Sequence, residues 1–144
     1  MNNGTRLTAN TSVLDNQWHH IVVTYNTSLA TDNLKIYIDG TLDNSANRQV
    51  VIQGSGTNQL IIGEYRASNF FNGNIDEVAV WDSELSASDV STIYGTGAPS
   101  DLSSLSPVSW WRFEGTGTTA TDSGSGGNDG TLTNGVTRSS DVPT

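Results

Sequence analysis

The residues best suited to acid–base chemistry are two adjacent acids, Asp76 and Glu77. Glycoside hydrolysis uses two carboxyl groups that flank the bond to be cleaved, so an acidic pair is the first pattern to test. The segment Asn74–Trp81 is predicted to be a β-strand, and neighbours on a strand project to opposite faces of a sheet. The spacing therefore argues against a catalytic pair.

The two histidines are also adjacent, at His19 and His20. A histidine pair could bind a metal or transfer protons, but consecutive strand residues diverge, and the chain has no other histidine. We therefore expect one ring to pack near the core with a backbone partner and the other to face solvent.

A glycine-rich loop near the C-terminus carries the better metal candidates. Asp122, Asn128 and Asp129 lie on this loop, and a hard cation such as Ca²⁺ prefers several oxygen ligands from carboxylates, amides and backbone carbonyls. The same residue types also favour turns without any ion, because their side chains hydrogen-bond to nearby backbone groups. The sequence leaves both interpretations open: a structural calcium site, or a set of turn residues.

Ligand binding calls for exposed aromatic rings, on which the apolar face of a sugar can stack, beside polar groups on a loop. Trp110 and Trp111 are adjacent on a predicted strand, so we expect that they cannot both be buried. Trp111, with Tyr65 and Arg66 from the loop before the acidic pair, is the predicted binding surface. The alternative is that these side chains pack against a linker or a neighbouring subunit.

The elements that position these residues are predicted to be antiparallel β-strands. Short β-branched and aromatic segments are separated by Asn-Gly, Asp-Gly and glycine-rich turns. One helix is predicted over Ser86–Tyr94, with Ser86 and Asp89 in capping-box spacing. The predicted strands are Thr5–Ala9, Trp18–Asn26, Leu34–Asp39, Gln49–Gln53, Gln59–Gly63, Asn74–Trp81, Val108–Glu114 and Thr131–Thr133.

Two of these strands carry informative patterns. Trp18–Asn26 is apolar on both faces, which predicts a central strand. In Leu34–Asp39 the aliphatic residues alternate with Lys35, Tyr37 and Asp39, which predicts a sheet with one face in water. Asp39-Gly40 then predicts a tight hairpin turn.

Composition excludes several function classes. The 144 residues include 15 acidic and 6 basic ones, for a net charge of −9, and no cysteine. The lack of a basic cluster argues against nucleic acid binding, and the lack of cysteine excludes disulfides and thiolate chemistry. No apolar run approaches the ~20 residues that span a bilayer, and the first residues lack the regions of a signal peptide. We expect no membrane insertion and no export signal at this N-terminus.

The chain divides by composition into three parts. Residues 1–95 hold most of the predicted strands, and residues 96–106 resemble a linker because they are rich in Ser, Gly and Pro. Residues 107–144 have one apolar cluster followed by a Gly, Thr, Ser and Asn stretch that could not fold alone.

Several motifs resemble the concanavalin A-like jelly rolls of laminin G-like type. They are N-Q-W-H-H-I-V-V-T-Y-N with L-K-I-Y-I-D-G, and L-I-I-G with F-N-G-N-I-D-E-V-A-V-W-D-S-E-L-S, within residues 16–95. A third, W-W-R-F-E-G-T-G-T-T-A-T-D-S-G-S-G-G-N-D-G-T-L-T-N-G (residues 110–135), resembles the opening strand and loop of a jelly-roll repeat. In the family this segment precedes the others. The resemblance therefore implies an all-β antiparallel jelly-roll sandwich with one short helix, permuted or completed by strand exchange.

The resemblance also bears on the candidate sites. It adds Asp76 to the predicted calcium ligands, since related jelly rolls hold calcium between this loop and the last strand. Related glucanases carry the pattern E-I-D-x-x-E, whereas this chain has Asn74 and Ala79 where the first and last acids stand. That departure argues against glucanase activity.

The sequence predicts a non-enzymatic recognition module that binds carbohydrate or another surface ligand within a larger, oligomeric surface assembly. The alternative is a structural virion protein, such as a tail fibre or capsid decoration, that makes mainly protein contacts. A glucanase-like hydrolase is the third reading. The predicted location is extracellular or on a virion surface.

Overall fold

The computed structural model describes residues 7–48, 59–65 and 69–144. They form a mostly β, antiparallel structure with one α-helix, consistent with a jelly-roll sandwich whose sheets are not closed. The predicted fold class is thereby confirmed. The elements are β1 (Ile21–Tyr25), β2 (Leu34–Ile38), β3 (Thr41–Ala46), β4 (Glu64–Tyr65), β5 (Asn69–Phe70), β6 (Val78–Val80), α1 (Ala87–Tyr94), β7 (Ser109–Trp111), β8 (Thr119–Ala120) and β9 (Gly130–Thr131).

Several predicted strands are shorter than expected or shifted. The strand predicted over Asn74–Trp81 forms only as β6, and residues 59–63 precede β4 without strand structure. The prediction for Gln49–Gln53 lies outside the described residues, as does the start of Thr5–Ala9. β3 was not predicted, because T-L-D-N-S-A has little apolar alternation and owes its strand structure to pairing with β2.

The largest sheet has the strand order β1-β2-β3. The predicted Asp39-Gly40 turn connects β2 to β3. Both turn residues have positive φ, 49° and 74°. Glycine is required at the second position also because an added Cβ would lie 2.8 Å from the Tyr94 ring. The central-strand prediction for β1 is wrong within the described residues, where β1 pairs with β2 alone and Val23 is exposed.

Both faces of β2 are buried near its end. Ile38, on the predicted apolar face, is buried as expected, whereas Leu34 and Ile36 on that face are only partly covered. Tyr37, which the alternation assigns to water, is buried as well. It lies opposite Val22 and belongs to the core cluster that contains Val90 and Ile93 of α1. The helix therefore covers a side chain predicted to be wet, and an aromatic body with a polar tip suits that position.

The helix forms as predicted. The Ser86 hydroxyl accepts a hydrogen bond from the Asp89 N–H at 3.1 Å, and the Ser86 N–H donates to the Asp89 carboxylate at 2.9 Å. This reciprocal cap satisfies two N–H groups that would otherwise have no partner. Val90 is fully buried, so the small apolar face of α1 is anchored in the core.

The C-terminal segment folds back onto the first part of the same chain. β7 pairs antiparallel with β6, with Val78 opposite Trp111 and Val80 opposite Ser109. The resemblance implies either a permuted domain or strand exchange, and in the structure the C-terminal segment pairs within its own chain. Strand exchange stays a prediction for the edges that remain open.

Candidate functional site

The acidic pair, Asp76 and Glu77, lies just before β6, the strand that pairs with β7 of the C-terminal segment. Glu77 adopts a positive φ of 53°, so the alternation rule for strands does not apply to it. Its Oε2 accepts a 2.5 Å hydrogen bond from Trp110 Nε1, and its Oε1 lies 3.5 Å from Arg112 Nε. Glu77 therefore holds β7 in place.

Burial raises the pKa of both acids. For Glu77 the hydrogen bond from Trp110 and the charge of Arg112 oppose this rise, but burial prevails. For Asp76 burial acts with the like charge of Glu114, against a hydrogen bond from the Glu77 N–H. A raised pKa would suit a general acid. However, both oxygens of Glu77 are engaged within the chain, so no free carboxyl pair flanks a common space here.

Trp110 and Trp111 are both buried, each 7% exposed, so the prediction that one of them is exposed is wrong. Trp110 packs in the core cluster with Leu85 and Val90. On the opposite face, Trp111 is covered by the glycine-rich loop, and its Nε1 donates to the Asn128 carbonyl at 2.8 Å. The strand has no wet face because this loop folds over it.

That loop is organised around one carboxylate. Asp122 Oδ1 accepts from the N–H groups of Trp110 and Gly124, and its Oδ2 accepts from the Asn128 N–H, all at 2.8 Å. Asp129 in turn accepts from the Asp122 N–H at 2.8 Å. Burial raises the pKa of Asp122, but the three backbone donors outweigh it and the net shift is downward. These residues act as turn residues in the structure.

A calcium ion fits this loop poorly as it is folded. Both lone pairs of Asp122 Oδ1 already accept N–H groups, which leaves Oδ2 with one free position. Among the described residues, no cluster of three or more His, Asp or Glu side chains could hold a metal ion. The calcium set of Asp76, Asp122, Asn128 and Asp129 stays a prediction.

The remaining predicted ligand residues lie at the β4–β5 hairpin. Tyr65 pairs with Asn69 across this hairpin, and Arg66 lies outside the described residues. Sugar binding by Tyr65, Arg66 and Trp111 stays a prediction. The Trp111 ring, which was expected to be exposed for stacking, is buried.

The sequence did not predict an open groove, whose described lining comes from residues 59–64, 70–80 and 108–142. Its walls carry large apolar side chains that are exposed to solvent, although their types are those of a protein core. The runs Leu60–Ile62 and Phe70–Phe71 were visible in the sequence, but whether another element covers them depends on the tertiary structure. The exposed apolar residues of the groove are Leu60, Ile61, Ile62, Phe70, Phe71, Ile75, Val80, Val136 and Val142.

The histidines differ from the expectation. The expectation was one ring packed near the core with a backbone partner and one ring in solvent, but His19 lies between two carboxylates, with Nδ1 2.9 Å from Asp39 and Nε2 3.0 Å from Asp15. His20 stacks on Tyr94 with ring centroids 6.0 Å apart, and its Nδ1 has no hydrogen-bond partner in the described part of the chain. Asp39, and to a lesser extent Asp15, raises the pKa of His19, whereas burial lowers the pKa of His20.

We expect the two histidines to contribute to stability with opposite pH dependence. The contribution of His19, whose pKa is raised, is complete below the unfolded pKa near 6.5 and is lost as the pH rises through the folded pKa. The contribution of His20, whose pKa is lowered, is present above that value and is lost as the pH falls through the folded pKa. His20→Phe keeps a ring against Tyr94 and isolates His19. Its melting temperature should fall as the pH rises from about 6 to about 8.

The control for this measurement is His19→Gln, which isolates His20 and should show the opposite trend in thermal melts over the same pH range. A melting temperature of His20→Phe that does not change with pH would show that the contacts of His19 with Asp15 and Asp39 add no stability.

Comparisons with known proteins identify the family. The family model for laminin G-like domains of the concanavalin A-like lectin/glucanases superfamily matches residues 1–91. Over 124 residues the chain is 29% identical to "Sushi, von Willebrand factor type A, EGF and pentraxin domain-containing protein 1" of Rattus norvegicus. This alignment covers 78% of the chain but 3% of that protein's length. No solved structure matches the chain.

Two general findings accompany this match. Laminin G-like domains are typical of extracellular adhesion and binding modules and are generally non-enzymatic. No helix in the described residues has both the length and the apolar character needed to cross a membrane. The matched range exceeds half of the sequence and contains the two groups of motifs within residues 16–95 up to Ser86, so the chain belongs to the laminin G-like family of the concanavalin A-like lectin/glucanase superfamily.

Proposed function

We propose that this chain is a non-enzymatic recognition module that binds a surface ligand, carbohydrate or protein, in the open groove. The observation that carries the proposal is the row of exposed apolar side chains along the groove, because soluble proteins rarely expose so many together unless the patch binds something. The proposed location is an extracellular or virion surface.

The acidic pair supports a binding function over a hydrolytic one. Glycosidases keep two carboxyl groups roughly 5 to 9.5 Å apart with the sugar between them. Here Glu77 is directed at Trp110 and Arg112, and Asp76 receives the N–H of Glu77. Glu77 therefore connects β6 to β7, and Asp76 holds the backbone of its neighbour.

Binding to glycan arrays and to immobilised surface proteins, with purified chain, tests the proposal. Phe70→Ser, which removes a side chain 61% exposed in the groove, should weaken any binding at least fivefold, about 1 kcal/mol, without lowering the melting temperature. Leu14→Ser is the control, because Leu14 is 92% exposed and does not line the groove.

The same preparation should release no reducing sugars from soluble β-glucans. Cleavage that is lost in Glu77→Gln would overturn the non-enzymatic assignment. Self-association that Phe70→Ser abolishes, with no ligand bound, would instead support the alternative of a structural assembly protein.

A further inference from the structure

The groove has the dimensions and lining of a site for a polymer. Its volume is about 1170 Å³, above the ~300–1,000 Å³ usual for small-molecule pockets. Seven of the nine exposed apolar side chains in it are aliphatic, and two are phenylalanines. Aliphatic side chains gain little from the hydroxyl groups of a sugar, but they pack well against apolar protein side chains. The lining therefore favours a polypeptide over a glycan.

The charge on the groove is negative. Five carboxyl side chains line it, and the described partners of Asp129 and Asp141 are uncharged N–H donors, so their charge is not neutralised. The other three are Glu64, Asp76 and Glu114.

The groove also holds two arginines. Arg138 keeps its positive charge, because it donates to the uncharged carbonyls of Phe113, Gly117 and Thr119. Arg112 lies over the Trp110 ring at 5.1 Å and beside Glu77, whose carboxylate balances its charge. Five carboxyl groups therefore stand against one unbalanced cation. An occupant with positive charge would complement the groove, whereas a second copy of this chain, with a net charge of −9, would be repelled.

The backbone at the groove suits an extended occupant. β6 pairs with β7 along one edge and has no ladder partner on its other edge in the part of the chain that the structure describes. Val80 of β6 is exposed and lines the groove. A free strand edge binds an added strand through main-chain hydrogen bonds, and alternate side chains of that strand then enter the neighbouring pockets.

We propose that the groove binds an extended protein segment in which apolar side chains alternate with lysine or arginine. This inference rests on the proposed recognition function and names its ligand class. The apolar side chains of the segment pack against Leu60, Phe71 and Val136, and the basic ones face Asp76 and Glu114.

The test uses the whole chain and synthetic peptides of about eight residues, close to the length of a strand. One peptide alternates Val with Lys, and the other alternates Val with Glu. The Val-Lys peptide is expected to bind with a dissociation constant in the micromolar range, measured by calorimetry. Raising the salt from about 0.05 M to about 0.5 M should weaken it roughly tenfold, because screening acts on exposed charges.

Two matched pairs of variants locate the site. Leu60→Ser should weaken Val-Lys binding at least fivefold, whereas Leu14→Ser, an exposed leucine away from the groove, should leave it unchanged. Glu114→Gln should weaken binding and reduce its salt dependence, whereas Asp82→Asn, an exposed acid that does not line the groove, should do neither.

Equal binding of the Val-Glu peptide overturns the charge argument, and binding that Leu60→Ser leaves unchanged overturns the location. Binding of glycans with neither peptide bound overturns the peptide class but leaves the recognition function standing. Failure of glycans, surface proteins and peptides alike overturns both. A dimer that Leu60→Ser dissociates identifies a second copy as the occupant and overturns the inference.

Discussion

Replacing Trp110 with alanine is expected to lower the free energy of unfolding by about 3–5 kcal/mol, the usual cost of deleting a buried tryptophan side chain. The ring is 7% exposed and packs in the same core cluster as Leu85 and Val90, which belong to the first part of the chain. Its Nε1 is also the donor to Glu77, whose pKa burial already raises. Losing that donor should raise the pKa of Glu77 further. Urea unfolding followed by circular dichroism measures the loss.

Two other variants separate the contributions of packing and of the Nε1 hydrogen bond to the stability lost in Trp110→Ala. Trp18→Ala removes a less buried tryptophan whose Nε1 contacts Asp141 at 3.3 Å, and it should cost much less than Trp110→Ala. Trp110→Phe keeps most of the packing but removes the N–H, so it should cost about 1.5–3 kcal/mol, the value of a hydrogen bond to a charged group. If Trp110→Ala costs no more than Trp18→Ala, residues 107–144 do not complete the core of residues 1–95 in cis.

Features governed by a few neighbouring residues could be predicted from the sequence. The capping box of Ser86 and Asp89 and the turn at Asp39-Gly40 form as predicted, because each depends on hydrogen bonds or dihedral angles within about four residues. The antiparallel all-β class followed in the same way from turn spacing and β-branched segments. These preferences hold whatever packs around them.

Features set by distant segments could not be predicted. The alternation rule placed Trp110 and Trp111 on opposite faces correctly, but it could not show that residues 122–130 cover the second face. The same rule assigned Tyr37 to water, and α1 buried it instead. Glu77 departs from strand geometry altogether, with a positive φ that lets it reach Trp110. In each case the deciding contact comes from a segment more than twelve residues away.

The return of the C-terminal segment explains why the structure has both a core and an open groove. β7 supplies the partner strand for β6 and places Trp110 in the core. β6 has no other ladder partner in the described part of the chain, and Val80 of β6 stays exposed in the groove.

Replacing Asp122 with alanine is expected to lower the free energy of unfolding by about 2–4 kcal/mol at neutral pH, since backbone donors lose a charged acceptor. The N–H of Trp110 is the costliest of the three to leave unsatisfied because Trp110 is buried. The pKa of Asp122 is lowered, so its stabilisation is present above the unfolded pKa near 3.8 and is lost as the pH falls through the folded pKa. The difference between wild type and Asp122→Ala in urea unfolding should therefore shrink in acid.

A repeat of the Asp122 measurement with a chelator and with added calcium decides between the two readings of the loop. If Asp122 acts through Trp110, Gly124 and Asn128 alone, the loss in Asp122→Ala is the same with either addition, and calcium leaves the wild-type melting temperature unchanged. Asp82→Asn, an exposed acid outside the loop, should show no loss in any condition. If the loop binds calcium, the ion stabilises the wild type in proportion to the logarithm of its concentration, and Asp122→Ala abolishes that dependence. A calcium-dependent loss would thus overturn the purely backbone role of Asp122, because hydrogen bonds to N–H groups do not respond to calcium.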